Sequence, residues 1–453
     1  MSFWITLSVK LELRARRCVC IAGDGIAQRS RCGTETSAAM FEFGKDLRKL
    51  FAQAREADDL GWLELIGVGL VESEARQQST DAGRVSCAEP FEASLRAAAL
   101  WREHARRAGY AKSLERSWSA ALDATGRART PDQSARAAIE TARLLMLRFD
   151  LCGGPDSLTQ ALATLDMASG AQRADTASSA AAVHARLVGR QARLTGDAKA
   201  LMDAGALMDA ALHGLRGGAR TDQAEELRLD RAALSLEAGV LRRDPRLLDQ
   251  AGRDLSALVE AASPDYRPLT RARALALCGA GLSALGAMAG HAESAAQGRL
   301  MFEAAADQFT PDHSPLDWAA IQILRADDPR TPLLALAQAE ALTEGSGLIL
   351  GAQAREARLS REIALAEADG ALPALDAIEA RLRRRLSRLD ADAAPLDWTA
   401  DQIGLARLSL ARTRLTGLAA PALGMIIAEA ALTAREHGAP ALAHRAERLL
   451  HQP

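Results

Sequence analysis

The chain has 453 residues, with 56 Lys and Arg against 58 Asp and Glu, a formal net charge of −2 and 48% hydrophobic residues. That length exceeds one ordinary hydrophobic core, so the chain splits into domains or forms a repeat array whose units pack only on their neighbours. The charge balance gives no global basic signal for nucleic acid, and the six cysteines show no CxxC pair or metal-ligand spacing, which argues against a zinc or disulfide framework and for a reducing compartment.

Residues 1–39 lack helical periodicity and mix Cys with Arg. They read either as a disordered tail or as a mis-assigned start, with Met40 the natural first residue. The opening MSFWITLSVKLELRARR places its apolar stretch before its charges, opposite to a secretory signal, and no apolar run reaches the roughly 18 residues of a membrane span. A cytoplasmic location is expected. From Met40 an amphipathic helix is expected over 41–57, because Phe41, Phe43, Leu47, Leu50, Phe51 and Ala54 recur at helical spacing. Further helices are expected at 60–79, 89–109 and 111–125, with a loop from Gln77 to Pro90. Trp62, Trp101, Trp118 and Tyr110 lie in this block. Residues 40–126 therefore read as an N-terminal helical cap or a small module.

Beyond this block the chain repeats. Ala185–Gly196 is ARLVGRQARLTG and Ala406–Gly417 is ARLSLARTRLTG, and a looser copy occupies Ala142–Gly153. Ala-Arg-Leu recurs at Ala357 and Ala-Arg-Ala at Ala272. The starting positions are separated by 43, 87, 85 and 49 residues, close to one, two, two and one units of a common period. A period in this range marks a helical solenoid. Hairpins are expected at 133–150 with 155–168, 174–195 with 198–213, 220–242 with 245–262, 268–289 with 292–308, 315–326 with 330–343, 348–369 with 372–389, and 396–416 with 420–437. Gly153-Gly154-Pro155, Gly196-Asp197, Asp244-Pro245, Gly290, Asp328-Pro329, Gly370 and Gly417 supply the stops between helices. A last helix, 440–450, would cap the exposed end. The expected fold class is all-α: an α-solenoid of seven hairpins over 127–438, preceded by the 40–126 cap or module and closed by 439–453.

Pro315-Leu316-Asp317-Trp318-Ala319 and Pro395-Leu396-Asp397-Trp398-Thr399 open corresponding helices, with Gln322 and Gln402 four residues after each Trp. This word resembles a long bacterial variant of the tetratricopeptide repeat. The resemblance implies a scaffold or adaptor that binds a protein or an extended peptide along a concave face formed by the first helices. A second reading is a ligand- or peptide-responsive sensor with residues 40–126 as its output module.

The first helices carry an arginine ladder. With the two motif glutamines, Arg143, Arg186, Arg190, Arg228, Arg273, Arg358 and Arg407 make the candidate partner-binding set, joined in the ladder by Arg193, Arg231, Arg271, Arg355 and Arg361. If they face one side, they suit an acidic partner through bidentate pairing. The competing reading is that they are solvated, or paired with Glu225, Asp230, Glu356 and Glu362. The basic run Arg381–Arg388 lies on a second helix and reads as an outer face. Gly279-Ala-Gly281 lacks the strand and the GK[ST] ending of a phosphate loop and reads as close helix packing. No catalytic constellation, cofactor or metal site is expected, and no nucleic-acid or integral-membrane partner.

Overall fold

The computed structural model describes residues 60–215, 221–344, 348–418 and 423–450. The expectations for the 1–39 segment and the 41–57 helix lie outside these residues. Every regular element among them is a helix. After a 3-10 helix, Gly61–Leu65, come α1 (Val68–Gly83), α2 (Pro90–Ala108) and α3 (Ala111–Arg127). Hairpins follow as α4 (Pro131–Cys152) with α5 (Asp156–Asp166), α6 (Ala174–Thr195) with α7 (Ala198–Gly214), α8 (Thr221–Arg242) with α9 (Pro245–Ala261), and α10 (Pro268–Ala289) with α11 (Ala292–Ala306). Next are α12 (Pro315–Leu324) with α13 (Leu333–Thr343), α14 (Ile349–Ala368) with α15 (Leu372–Leu386), α16 (Pro395–Thr416) with α17 (Gly424–Glu436), and finally α18 (Pro440–Leu450).

Local chemistry sets these ends. Proline occupies the first turn of α2, α4, α9, α10, α12 and α16, where its missing N–H removes no helical bond. Thr130, Asp197 and Asp244 cap α4, α7 and α9 by accepting from backbone N–H groups of the first turn. Gly109, Gly196, Gly290 and Gly417 end α2, α6, α10 and α16 in the left-handed conformation. One expected helix differs. The 60–79 segment is two elements, because Ile66 is extended and the Val68 N–H donates to the carbonyl of His313 at 3.2 Å instead of continuing the turn. The second of them, α1, runs on through the expected loop as far as Gly83.

At the five repeat starts the residues flanking the arginine are buried: Ala142 and Leu144, Ala185 and Leu187, Ala272 and Ala274, Ala357 and Leu359, Ala406 and Leu408. Positions two apart on a helix point about 200° from each other, so each first helix is covered on two sides. α10 is the extreme case. It is long and apolar enough to cross a membrane by composition alone, yet half of its most apolar window is buried by protein, with α8, α9 and α11 packed against it. Its glycines are contact points: a side chain at Gly279 would meet the Phe302 ring at 2.7 Å and the Gly298 carbonyl at 2.9 Å.

The chain divides into two compact units. Among the described residues, one takes in 60–70 together with 171–313; the other joins 71–170 to 314–450. In the first unit α6 to α11 pack each on the next, α6 also touches α8, α8 touches α10, and the 3-10 helix packs on α10. In the second, α2 to α5 and α12 to α18 form two runs of sequential contacts, and these runs meet through α2 on α12 and α4 on α14.

Gly153 sits in that second unit, at φ +75° and ψ −158°, a region open only to glycine. A Cβ there would lie 2.0 Å from the His437 carbonyl oxygen, across the turn between α17 and α18. Gly196 also has positive φ, +63°, but open space around it. Gly153→Ala is therefore expected to lower the unfolding free energy by ~3 kcal/mol or more, and Gly196→Ala by about 1 kcal/mol, read by urea denaturation.

Candidate functional site

The arginine ladder lies where neighbouring hairpins meet. In the first unit Arg186 on α6 reaches Asp230 on α8 at 2.7 Å and Glu226 at 2.7 Å, and Arg190 shares Asp230 at 2.8 Å. Arg193 pairs with Glu237 at 2.9 Å, and the Ser179 hydroxyl donates to Gln223 at 3.0 Å. Arg186 to Asp230, Arg193 to Glu237 and Ser179 to Gln223 are each separated by 44 residues. The same interval in sequence thus joins the two ends of each of these three interactions. Asp230 would be raised by burial, but Arg190 and Arg186 overcome that and hold it well below the usual carboxylate range.

Other members serve nearby seams. Arg231 bridges from α8 to Asp209 of α7 at 3.0 Å and Asp254 of α9 at 3.2 Å. Arg271 donates to the Val259 and Ala262 carbonyls, closing the end of α9. Buried Glu64 of the 3-10 helix accepts from the Thr270 N–H at 2.8 Å and the Thr270 hydroxyl at 2.5 Å, tying that helix to the start of α10. Arg273 is half-buried, and Arg228 is exposed with no ion pair among the described residues.

The second unit repeats the pattern. Arg143 lies 3.8 Å from Glu140, whose carboxylate also takes Arg102 of α2 at 2.6 Å. Arg355 joins Glu340 of α13 at 3.1 Å to Asp397 of α16 at 2.5 Å, while Arg358 pairs with both Glu340 and Glu362. Arg407 donates to Glu356 at 2.7 Å, and Arg445 of α18 takes the other oxygen of the same carboxylate. Of the candidate set, then, Arg143, Arg186, Arg190, Arg358 and Arg407 are held by acidic side chains of this chain. Gln322 is buried and accepts from Arg325 at 3.4 Å; Gln402 is half-buried. The two Pro-Leu-Asp-Trp copies diverge in use. Asp317 accepts from the Ser314 hydroxyl at 2.7 Å, whereas Asp397 is a partner of Arg355 and Arg385.

Charge is unevenly matched at two places in this unit. Asp401 is fully buried on α16; the Arg385 Nε stands 2.9 Å from its Oδ2, but the N–H points off line, leaving both oxygens without a hydrogen bond. Burial pushes Asp401 up to about 6 against the pull of Arg385 and Arg355, with Asp397 and Glu340 adding to the rise. The opposite excess lies in a cavity of about 230 Å³ lined by Asp327, Glu356, Ser360, Arg407, Arg445 and Arg448. Burial would raise Glu356, but Arg445 and Arg407 outweigh it and keep this carboxylate below its ordinary range. Sequence reading passed over Arg445 and Arg448 because they lie on α18, which reads simply as a cap.

A larger cavity, about 540 Å³, lies between α1 and α3 over α2. Ser79, Ser94, Ala97, Ser119 and Ala120 give it small walls, with Arg76, Arg116 and Asp123 also lining it. The Arg116 guanidinium stands 4.5 Å from the Trp101 ring centroid, and the Trp101 indole N–H donates to Ser79 at 2.9 Å. No group of three or more potential metal ligands comes together among the described residues.

Two outcomes follow from these charges. Arg186→Glu sets like charge against Asp230 and Glu226 and is expected to cost ~3 kcal/mol or more in urea unfolding, while Arg228→Glu stays within about 0.5 kcal/mol of the parent. Asp401 has a folded value above its unfolded one, so the folded state binds the extra proton and its contribution is lost as pH rises from about 4 through about 6. Asp401→Asn, which mimics the protonated form, should therefore raise thermal stability at pH 7.5, by an amount on the order of 2–3 kcal/mol, and change it little at pH 4. Equal effects at both pH values would refute the assignment. No family model matches this chain, and no curated protein matches it.

Proposed function

We propose that this chain is an interaction scaffold: a tetratricopeptide-like α-solenoid array that binds a protein or an extended peptide in the cytoplasm. The observation that supports the reading is the succession of hairpins, in which α6 is tied to α8 by side chains 44 residues apart, Arg186 to Asp230 among them. Units joined in this way make a preorganised frame, which lowers the entropic cost of binding a partner.

With the arginines engaged in the frame, the binding surface is sought among side chains left outside it. On α17, Met425 is 86% and Leu432 55% exposed, and Ile426 is exposed beside them. Met425 and Leu432 are seven residues apart and share a face, which suits an apolar stripe on a partner helix. Affinity capture with the full chain is expected to yield a stoichiometric protein partner that is lost with Met425→Asp combined with Leu432→Asp. Arg228→Glu, on a first helix, should leave capture intact. Loss at Arg228 instead would move the partner to the first-helix face and restore the acidic-partner version of the ladder. If neither variant changes capture, or no partner is retained by the parent chain, the scaffold reading fails.

A sensor reading draws support from the cavity under Trp101, because it lies in the N-terminal helices assigned to output under that reading and combines two guanidiniums with Asp123. Under it, a small polar ligand would alter partner capture in the parent and have no effect on Arg116→Ala.

A further inference from the structure

We propose that the cavity bounded by α14, α16, α18 and the turn after α12 is a phosphate-type oxyanion site. It goes beyond the scaffold reading and does not depend on it.

Three guanidiniums, Arg407, Arg445 and Arg448, face two carboxylates, Glu356 and Asp327, so the lining holds one positive charge in excess. Glu356 is already saturated: one oxygen accepts from Arg407 and the other from Arg445. Donors remain beyond that carboxylate. The Arg407 Nε is buried and has no hydrogen-bond acceptor among the described residues. Arg448 makes no ion pair, and the Ser360 hydroxyl no hydrogen bond, among the described residues. These unmet donors come from α16, α18 and α14, three separate helices around one space. The buried Arg407 Nε is costly without an acceptor, while exposed Arg448 and half-buried Ser360 would exchange water for an occupant, so the site favours one that accepts from several directions.

A tetrahedral oxyanion does so. A planar carboxylate offers two oxygens in one plane, and Glu356 already fills that role against Arg407 and Arg445. Phosphate presents oxygens toward all three helices and matches guanidinium forks. The volume of about 230 Å³ is below that of sites for drug-sized ligands, so the occupant is inorganic phosphate or the phosphate of a small monoester.

The test is isothermal titration of the full chain with sodium phosphate, with sodium chloride at matched ionic strength as the control, alongside thermal unfolding in the same solutions. One saturable site and a phosphate-specific rise in melting temperature are expected in the parent. Arg448→Gln should weaken binding about tenfold, since it removes a charge-assisted donor, and Ser360→Ala about threefold to tenfold. Arg384→Gln, an exposed arginine on α15 outside the cavity, should bind as the parent does. Glycerol phosphate in place of phosphate separates the two sources: equal affinity means the site accepts a monoester, and loss of binding means it holds the free ion. Heats no larger than those of chloride in the parent, or parent-like binding in both Arg448→Gln and Ser360→Ala, would overturn the proposal.

Discussion

The bridge from arginine to carboxylate between first helices of successive hairpins, Arg186 to Asp230 above all, is the interaction the helical frame depends on. Contacts rich in alanine are shallow and similar to one another, so they leave the axial register of two helices weakly specified. A guanidinium held at 2.7 Å by one carboxylate and at 2.7 Å by another tolerates no such slippage. The contribution is better described as specificity than as net stability, because desolvating both charges offsets most of their attraction. The same trade explains why these arginines are Arg and not Lys: one planar fork must meet two acids at once, as Arg355 does between Glu340 and Asp397.

Spending the ladder on the frame changes where chemistry can reside. Where bases and acids are matched, as around Asp230, the site is closed and inert. Activity of any kind is to be looked for where they are mismatched. Asp401 is crowded by Asp397 and Glu340 and carries too little base, so its carboxyl is held near neutrality. The cavity beside Glu356 carries too much base, and the buried Arg407 Nε at its lining has no acceptor among the described residues. Both mismatches lie on α14 to α18, within one unit.

That unit is also where the fold leaves a purely sequential arrangement. α2 packs on α12 and α4 on α14, and the small residues at the seams make the approach feasible. Gly109 lies within reach of Leu316 and Leu348, and Gly153 lies against the His437 carbonyl, so neither position has room for a side chain. Stretches more than 150 residues apart in sequence are joined here, which is why this unit is built from two separate segments of the chain.

The helices, their turns and the recurrence of Ala and Leu around an arginine were legible in the sequence. They depend on interactions within about four residues: Pro and Asp at helix starts, Gly at ends, and a periodicity that marks which side chains turn away from water. The tertiary structure alone decided what the arginine between them does. Periodicity places Arg186 and Arg407 on a helix, but it does not say which neighbour faces that side or whether a carboxylate waits there at the right height. Asp230 and Glu356 were readable only as partners in principle; the 44-residue and 51-residue pairings that hold Arg186 and Arg407 exist because hairpin packing brings distant turns to the same level. The meeting of α4 with α14 and the excess base beside Glu356 belong to the same class, since each is a property of distances between helices that local sequence does not encode.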